Sequence, residues 1–411
     1  MRTDLKRLGW GALALVGLAL LAAVLWWYRP WAERSPARTL YAATKGDRVE
    51  IFRNMESVYP FRTIAGAGAV RALPRGREIA PPTYDWQGEA RTLDDYARDW
   101  IVTGLMVVRG GKVVFERYWR GETSESRHTS WSVAKSVVAT LVGNALMSGR
   151  IASLDDTVEI YAPAYAGTDY GRTTIAHLLE MSAGMEFEEE YERADGDARR
   201  LFIDTMIFNR DIDRTLARIQ RDRAPGEDFH YISPNSAVLA AVVRGAHGGR
   251  PLTEIVSEVL FEPLGLAQGT WLLDRDDGKA LGYCCLQIRL EDYAKLGQAY
   301  LDGGLAPDGT RVFGEDWTEF VATPPRPTHL PEDTIPPDTH SGFGYGRHVW
   351  LPPAWEGEYY MSGYNGQTVW IDPGHDVVIA ATSAEPEFAA RGSEWIAMMR
   401  AFAEAASEAP D

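Results

Sequence analysis

The distribution of strand-like and helix-like segments most constrains the fold of this chain. Apolar runs typical of strands occur near its two ends, at 105–108, 113–115, 343–351, 366–372 and 376–383. The first two flank Gly110-Gly111, which predicts a tight turn between paired strands. Residues from about 151 to 300 are mostly helical in pattern, residues 302–340 are loop-rich, and a last helix is predicted from Glu394 to Ala406. Strands at both ends and helices between them predict an α+β architecture.

The N-terminus carries an uncharged run of 21 residues, Leu8 to Tyr28. A helix of about 20 apolar residues can cross a bilayer, and Trp26, Trp27 and Tyr28 would form its interfacial end. The alternative is a cleaved signal peptide, although its apolar region usually has only about 7–15 residues. We expect a membrane anchor or signal-like segment over 1–34 and a tether and wrapping segment over 35–98. The main domain, 99–407, is then extracytoplasmic (periplasmic in a bacterium), or secreted after cleavage.

Composition argues against several classes of function. The net charge of −16 disfavours a nucleic-acid partner, which would require a basic face. The eight His residues make no metal-ligand pattern with Cys284 and Cys285, and no cofactor or metal is predicted. Adjacent cysteines are poorly spaced for an ordinary disulfide, so we expect two free thiols. His177 and His230 are interpreted as structural.

Ser132 and Lys135 are the first candidates for chemistry. Three residues apart on a predicted helix from Ser132 to Met147, they share a face, so the lysine amine can reach the serine hydroxyl. A serine hydroxyl becomes a strong nucleophile only when a base takes its proton. Lysine has an ordinary pKa near 10.4 and must be desolvated to act as that base near neutral pH. The S-x-x-K spacing therefore predicts nucleophilic catalysis.

Two further segments could complete such a site. Tyr231, in a loop after Pro225-Gly226, is a candidate to share the proton, although a half-buried structural tyrosine is the open alternative. Acyl transfer also needs two backbone N–H groups facing the developing oxyanion. One can belong to Ser132 at the start of its helix, where unpaired donors lie. The other can come from the Gly-containing segment 362–367, for which a simple hairpin bend is the alternative.

These residues and their order resemble one family. The chain is similar to serine hydrolases of the class C β-lactamase and penicillin-recognising superfamily, above all to the 6-aminohexanoate-dimer hydrolase and esterase branch. The resemblance runs from roughly residue 100 to 405. Besides the residues above, it rests on the segments 104–118, 151–156, 174–184, 262–266, 289–297 and 363–373. It implies a β-lactamase/transpeptidase-like fold, with an antiparallel sheet flanked by helices and a mostly helical second lobe.

The resemblance also implies roles for individual residues. Ser132 is the acylated nucleophile, Lys135 its base and Tyr231 the proton shuttle, while the backbone of Ser132 and Tyr364 forms the oxyanion hole. The residues implied near the substrate are Ser233, Ser362, Gly363 and Gln367.

Two positions depart from the family pattern. Ser233 stands where the Tyr-x-Asn motif has Asn, and Met361-Ser362-Gly363 stands where the family has Lys-Thr-Gly or His-Thr-Gly. Loss of that cation disfavours carboxylate-bearing β-lactams and peptides.

The expected function is a membrane-anchored serine hydrolase that acts on a small ester, amide or peptide-like substrate. The alternatives are a β-lactamase, a D,D-peptidase, or a non-catalytic sensor with the same fold. An α/β-hydrolase is disfavoured because the chain has no G-x-S-x-G motif. The sequence sets no oligomeric state.

Overall fold

The computed structural model describes residues 2–32, 34–191, 193, 195–336, 340–388 and 392–409, with backbone only for 2–9, 11 and 43. Its strands are β1 (Phe61–Ile64), β2 (Tyr84–Trp86), β3 (Glu89–Arg91), β4 (Val102–Arg109), β5 (Lys112–Tyr118), β6 (Arg127–Thr129), β7 (Gly269–Leu272), β8 (Leu286–Arg289), β9 (Gly344–Tyr345), β10 (Trp350–Leu351), β11 (Tyr359–Gly363), β12 (Gln367–Asp372) and β13 (Val377–Ser383). Its helices are α1 (Arg2–Tyr28), α2 (Pro36–Lys45), α3 (Arg48–Arg53), α4 (Leu93–Asp99), α5 (Val133–Met147), α6 (Val158–Tyr161), α7 (Ile175–Leu179), α8 (Asp197–Phe202), α9 (Ile212–Leu216), α10 (Ser233–Ala246), α11 (Leu252–Val256), α12 (Glu262–Leu264), α13 (Leu290–Leu301), α14 (Trp317–Ala322) and α15 (Glu394–Glu408).

The largest sheet joins the two ends of the main domain. Its strand order is β5-β4-β13-β12-β11-β10-β9, and its neighbouring strands are antiparallel. The β4–β5 hairpin turns at Gly110 and Gly111, both at positive φ, as the sequence predicts. Pairing of β4 with β13 brings residues at least 268 positions apart into register, for example Leu105 with Ala381. The predicted α+β architecture is confirmed.

Alternate residues of this sheet face two cores, because successive side chains of a strand point to opposite faces. Leu105 and Val107 of β4 pack with the apolar face of α15, which includes Phe402. Met106 and Val108 face the main core, which contains α5, α10 and α13. Helix α5 therefore lies between the sheet and the helical lobe, and its N-terminus is held by both.

A second, four-stranded sheet has the order β1-β7-β8-β6. Strand β1 belongs to the segment 35–98, and it pairs with β7 from Phe61↔Leu272 to Ile64↔Gly269. Helix α4 of the same segment packs Leu93 and Tyr96 into the second core beside α15. Residues 35–98 thus add a strand and a helix to the main domain, and the domain division itself stays a prediction.

The N-terminal segment forms helix α1, from Arg2 to Tyr28. Its described side chains include exposed Leu and Trp residues, and Trp26 stacks on Phe208 of the helical lobe at 6.0 Å. Side chains at the start of the predicted span, Leu8 among them, lie outside the described residues, as do Met1 and Glu33. Within what is described, no helix combines the length and the apolar character needed to cross a membrane.

Three local predictions differ from the structure. The segment 343–351 is two short strands, β9 and β10, because the chain turns between them at His348, where φ is +66°. The loop-rich segment 302–340 also contains α14. Cys284 and Cys285 are not free thiols but form a disulfide. A left-handed backbone at Cys285 (φ +70°) accompanies this pairing of neighbours, which the usual Cα spacing rule does not anticipate.

Candidate active site

A strained turn presents Ser132 at the N-terminus of α5. Trp131 precedes it with φ +42°, which is unusual for a bulky residue and is often found at functional sites. Ser130 fixes the turn to β8: its N–H donates to the Leu286 carbonyl at 2.7 Å, and its hydroxyl accepts from the Leu286 N–H at 3.0 Å. The Trp131 ring packs edge-on against Phe52 at 5.3 Å. These contacts hold the half-buried Ser132 at the junction of the lobe and the sheets.

Lys135 lies one helical turn further on and is only 2 % exposed. Its Nζ donates to Ser132 Oγ at 2.7 Å and to the Tyr283 carbonyl at 3.1 Å. The same Nζ stands 4.9 Å from the centroid of the Tyr231 ring and 5.8 Å from that of Tyr283. The predicted contact between the serine hydroxyl and the lysine amine is therefore present in the structure.

Tyr231 reaches the pair from the loop that precedes α10. Its ring packs against Trp350 at 5.1 Å and Tyr345 at 6.0 Å, so an aromatic wall fixes its direction. The Ser132 side chain lowers the pKa of Tyr231, against the larger effect of burial, so the two hydroxyls lie close to each other. Ser132 Oγ is thus the point where the groups of Lys135 and Tyr231 meet.

Burial sets the protonation of both partners. Burial lowers the pKa of Lys135 to about 8, against the opposing field of the Glu189 carboxylate. About a tenth of the lysine is then neutral at pH 7, which makes it an accessible base. Burial raises the pKa of Tyr231 well above its ordinary value, although the Ser132 side chain works the other way. The phenol therefore stays protonated near neutral pH, where part of Lys135 is neutral and able to accept a proton.

The end of β11 lies against the nucleophile turn. A Cβ added to Gly363 would stand 2.3 Å from the Ser130 carbonyl oxygen, so the two backbones can approach only because residue 363 is glycine. The next residue, Tyr364, packs its ring edge-on against Trp131 at 6.0 Å. The predicted oxyanion segment is therefore beside Ser132.

Other predicted site residues have internal partners. Ser233 is buried, and its N–H donates to Glu189 Oε2 at 2.9 Å while its hydroxyl donates to Glu189 Oε1. Gln367 is buried and donates to the carbonyls of Ser383 at 2.6 Å and Tyr364 at 3.2 Å. Ser362 pairs with Thr368 across β11 and β12. The substrate contacts implied for Ser233, Ser362, Gly363 and Gln367 stay predictions.

The two histidines interpreted as structural also have internal partners. His177 Nδ1 is 2.8 Å from the Thr174 hydroxyl, and His230 Nδ1 is 2.8 Å from Arg223 Nη2. Among the described residues, no group of three or more His, Cys, Asp or Glu side chains is placed to hold a metal ion.

Three neighbours of Ser132, Lys135 and Tyr231 escaped the sequence reasoning. Tyr283 contributes a backbone carbonyl to Lys135, which no side-chain pattern encodes. His348 lies behind α5, where its Nε2 is 2.8 Å from the Ser236 hydroxyl. Glu189 belongs to the acidic run 188–190, and such a run is usually a solvated surface. The sequence feature that could have singled out Glu189 is the tyrosine two positions later, Tyr191, whose hydroxyl donates to Glu189.

The fold and this constellation define a serine hydrolase of the beta-lactamase class. The profile of the beta-lactamase family matches residues 91–401, and the chain belongs to that family. It is 28% identical over 312 residues to the 6-aminohexanoate-dimer hydrolase of Paenarthrobacter ureafaciens, covering 72% of this chain and 76% of that relative.

Solved structures show the same fold. A Bacillus anthracis protein with a provisional assignment as a 6-aminohexanoate-dimer hydrolase superposes with a TM-score of 0.76 at 21% identity, covering 90% of this chain and 97% of that one. EstCE1, a hydrolase with promiscuous acyltransferase activity, has a TM-score of 0.58 at 18% identity, covering 75% and 94%. The predicted family and the prediction of an enzyme are confirmed.

Proposed function

We propose that this protein hydrolyses a small ester or linear amide through a covalent acyl-enzyme on Ser132. The observation that carries the proposal is the 2.7 Å contact between Ser132 Oγ and a buried lysine whose pKa is lowered by burial to about 8. A buried, partly neutral amine against a half-exposed hydroxyl is what activation of a serine nucleophile requires. Hydrolysis of an amide by the relative from P. ureafaciens, as its name indicates, agrees with this chemistry.

Acylation begins when neutral Lys135 takes the Ser132 proton as Oγ attacks the acyl carbon. The carbonyl oxygen becomes an oxyanion, and we assign its stabilisation to the backbone N–H groups of Ser132 and Tyr364. The tetrahedral intermediate then collapses and breaks the bond to the leaving alcohol or amine. Tyr231 passes its proton to that leaving group and recovers one from Lys135, which returns the lysine to the neutral state.

Deacylation repeats these steps with water as the nucleophile. Lys135 takes a proton from water while the new hydroxyl attacks the acyl carbon, and the ester bond to Ser132 Oγ breaks. The proton returns to Oγ by way of Tyr231, and the carboxylic acid leaves. No group beyond Ser132, Lys135, Tyr231 and the two N–H donors is needed for the atoms and protons to balance.

The segment Met361-Ser362-Gly363 favours neutral acyl donors over carboxylate-bearing ones. Met361 occupies the position of the family's cation, and its side chain is only 1 % exposed within the main core. A thioether cannot bind a carboxylate as an ammonium or imidazolium does. An ester or linear amide is therefore preferred over a β-lactam or a D,D-peptide.

We also propose that α1 anchors the enzyme in a membrane and that the catalytic domain is extracytoplasmic. The support is the uncharged sequence from Leu8 to Tyr28, together with the exposed apolar side chains from Trp10 onward. Retention of the full chain in carbonate-washed membranes, and its release when residues 1–34 are deleted, is the expected result. Equal release of both forms would contradict the anchor.

A substrate panel tests the proposed reaction. We expect the full chain, purified in mild detergent, to turn over nitrophenyl butyrate and a linear nitroanilide faster than a chromogenic cephalosporin or a D-Ala-D-Ala peptide. Ser132→Ala should abolish this turnover, whereas Ser148→Ala, at the other end of α5, should retain it. Absence of turnover on all four substrates would favour the non-catalytic sensor.

A further inference from the structure

We infer that Glu189 is a positioning residue of the proposed reaction. It couples the segment from Tyr231 to Ser233, and the aromatic residues Tyr191 and Tyr364 on the substrate side, to the general base Lys135. This inference rests on the proposed function for its catalytic meaning. Its geometry is independent of that function, because Glu189 bridges two segments that approach the site from different directions. Neither Glu189 nor its partner Tyr191 belongs to the predicted catalytic set.

The first observation is the hydrogen bonding of the carboxylate. Ser233 donates to it twice, through its N–H to Oε2 at 2.9 Å and through its hydroxyl to Oε1. The hydroxyl of Tyr191 also donates to Oε1. An ionised carboxylate, which can only accept, suits three donors on its two oxygens. Ser233 is the first residue of α10 and lies two positions after Tyr231, so Glu189 fixes the direction in which Tyr231 enters the site.

The second observation is the path from Glu189 to the other side of the cleft. The Tyr191 ring packs against the Tyr364 ring at 4.9 Å, and Tyr364 in turn packs on Trp131 beside the nucleophile. Tyr191 is 41% exposed, so this face remains accessible to a substrate. Glu189 is therefore joined to both the proton-relay side and the proposed oxyanion side of Ser132.

The backbone that precedes Glu189 in the chain is firmly held, so the fold determines the position of Glu189. The N–H of His230 donates to the Met181 carbonyl at 2.7 Å, and the N–H of Glu186 donates to the Gln220 carbonyl at 2.9 Å. A Cβ on Gly184, at φ +69°, would meet the Arg223 carbonyl oxygen at 2.3 Å. The stretch 181–186 thus lies tightly against the loop that leads to Tyr231.

The third observation is electrostatic. The groups that face Lys135 come from four elements besides its own helix: Tyr231 before α10, Tyr283 before β8, His348 between β9 and β10, and Glu189. Burial raises the pKa of both tyrosines, and burial lowers the pKa of His348 to about 3, so these three are neutral at working pH. The charge that acts on Lys135 is then that of Glu189, and it opposes the effect of burial on the lysine pKa.

Loss of the Glu189 charge should lower the pH at which the enzyme becomes active. Activity requires neutral Lys135, so kcat/KM should rise with pH through a midpoint near 8 in the wild-type enzyme. Removing the Glu189 charge removes a favourable interaction with the protonated lysine, so the pKa of Lys135 falls. The midpoint of the Glu189→Gln variant should therefore move to lower pH, by about half a unit or more.

Two measurements test the inference, and one of them does not depend on turnover. The chain has only six lysines, so ¹³Cε-lysine NMR can follow Lys135, assigned by loss of its signal in Lys135→Met. In parallel, kcat/KM for nitrophenyl butyrate is measured between pH 5.5 and 9.5. The variants are Glu189→Gln, Glu189→Asp and the matched charge control Glu190→Gln, whose exposed side chain pairs only loosely with Arg193 at 3.7 Å.

The expected pattern separates charge from hydrogen bonding. Glu189→Gln lowers both the NMR midpoint and the kinetic midpoint, Glu189→Asp lowers both by a smaller amount because its shorter side chain moves the charge, and Glu190→Gln matches the wild type. Tyr191→Phe and Ser233→Ala remove one donor each, so they should lower kcat/KM severalfold and leave the midpoint unchanged. If Glu189→Gln does not fold, Glu189→Asp decides: an NMR midpoint below that of Glu190→Gln supports the inference, and an equal midpoint overturns it.

Contradicting results are equally distinct. An NMR midpoint in Glu189→Gln equal to that of Glu190→Gln overturns the inference, whatever the activity. A shifted NMR midpoint without turnover of any ester or amide by the wild type supports the electrostatic coupling and instead overturns the proposed function.

Discussion

The two halves of the candidate active site are built in different ways. Ser132 and Lys135 meet because they are three residues apart on one helix, so the contact is a local property of α5. Tyr231, Tyr283 and Glu189 reach the same point from segments between 54 and 148 residues away along the chain from Lys135, and only the packed fold brings them together. The local half supplies the nucleophile and its base, whereas the distant half supplies the Tyr231 proton relay and sets the protonation and direction of the local pair.

This difference separates what substitutions should do. A change in the local half removes a reacting atom, so its cost appears in the rate of the chemical step. A change in the distant half leaves the nucleophile and its base in place and alters proton delivery, or the pKa values or alignment of that pair. The substitutions below test that separation, from the largest expected effect to the smallest.

Lys135→Met should have the largest effect, because it removes the base while retaining a side chain of similar length. We expect kcat/KM for nitrophenyl butyrate to fall by about 10³-fold or more. The enzyme should remain folded, since a buried ammonium is replaced by an apolar group. The matched control is Lys112→Met at the exposed end of the β4–β5 turn, which should keep wild-type activity. A Lys135→Met enzyme with more than a tenth of wild-type activity would remove the lysine from the mechanism.

Tyr231→Phe should have an intermediate effect, because the ring and its packing on Trp350 remain while the relay hydroxyl is lost. We expect kcat/KM to fall by about 10²-fold for an amide, whose poor leaving group needs a proton. The loss should be smaller for a nitrophenyl ester, whose leaving group departs without protonation. Parallel kinetics on the two substrates, with exposed Tyr41→Phe as control, measure this contrast. Equal losses on both substrates would show that the Tyr231 hydroxyl does not protonate the leaving group.

Gly363→Ala should have the smallest effect of the three. Its Cβ would stand 2.3 Å from the Ser130 carbonyl oxygen, so the end of β11 must move away from the nucleophile turn. We expect roughly a tenfold fall in kcat, because misalignment of the site is costly even when every catalytic side chain remains. Gly314→Ala, where an added Cβ meets open space, is the control. An unchanged kcat would show that the closeness of β11 to Ser130 has no role in the rate.

The sequence predicts the local half of the site and the frame that carries it. Helical spacing determines the Ser132–Lys135 contact, and the Gly110-Gly111 turn determines the first hairpin. The pairing of β4 with β13 joins residues too far apart for any local pattern to specify. The family resemblance supplied Tyr231, whose own position in a loop left a structural role open.

What the sequence does not predict depends on tertiary contacts or on backbone atoms. Glu189 lies in an acidic run that resembles a solvated surface until Ser233 and Tyr191 are seen to donate to it. The Tyr283 carbonyl that holds Lys135 has no signature in a list of side chains. The disulfide between Cys284 and Cys285 follows from a local backbone conformation that pairing rules for distant cysteines do not describe.

Covalent labelling of the full chain tests the central claim most directly. A fluorophosphonate should add to the wild-type protein with a stoichiometry of one, and peptide mass spectrometry should place the adduct on Ser132. Ser132→Ala should not react, and Ser148→Ala should react as the wild type does. Labelling should also accelerate as pH rises through about 8, as the pKa of Lys135 requires. An unlabelled Ser132 in folded protein, or an adduct on another residue that persists in Ser132→Ala, would contradict the account.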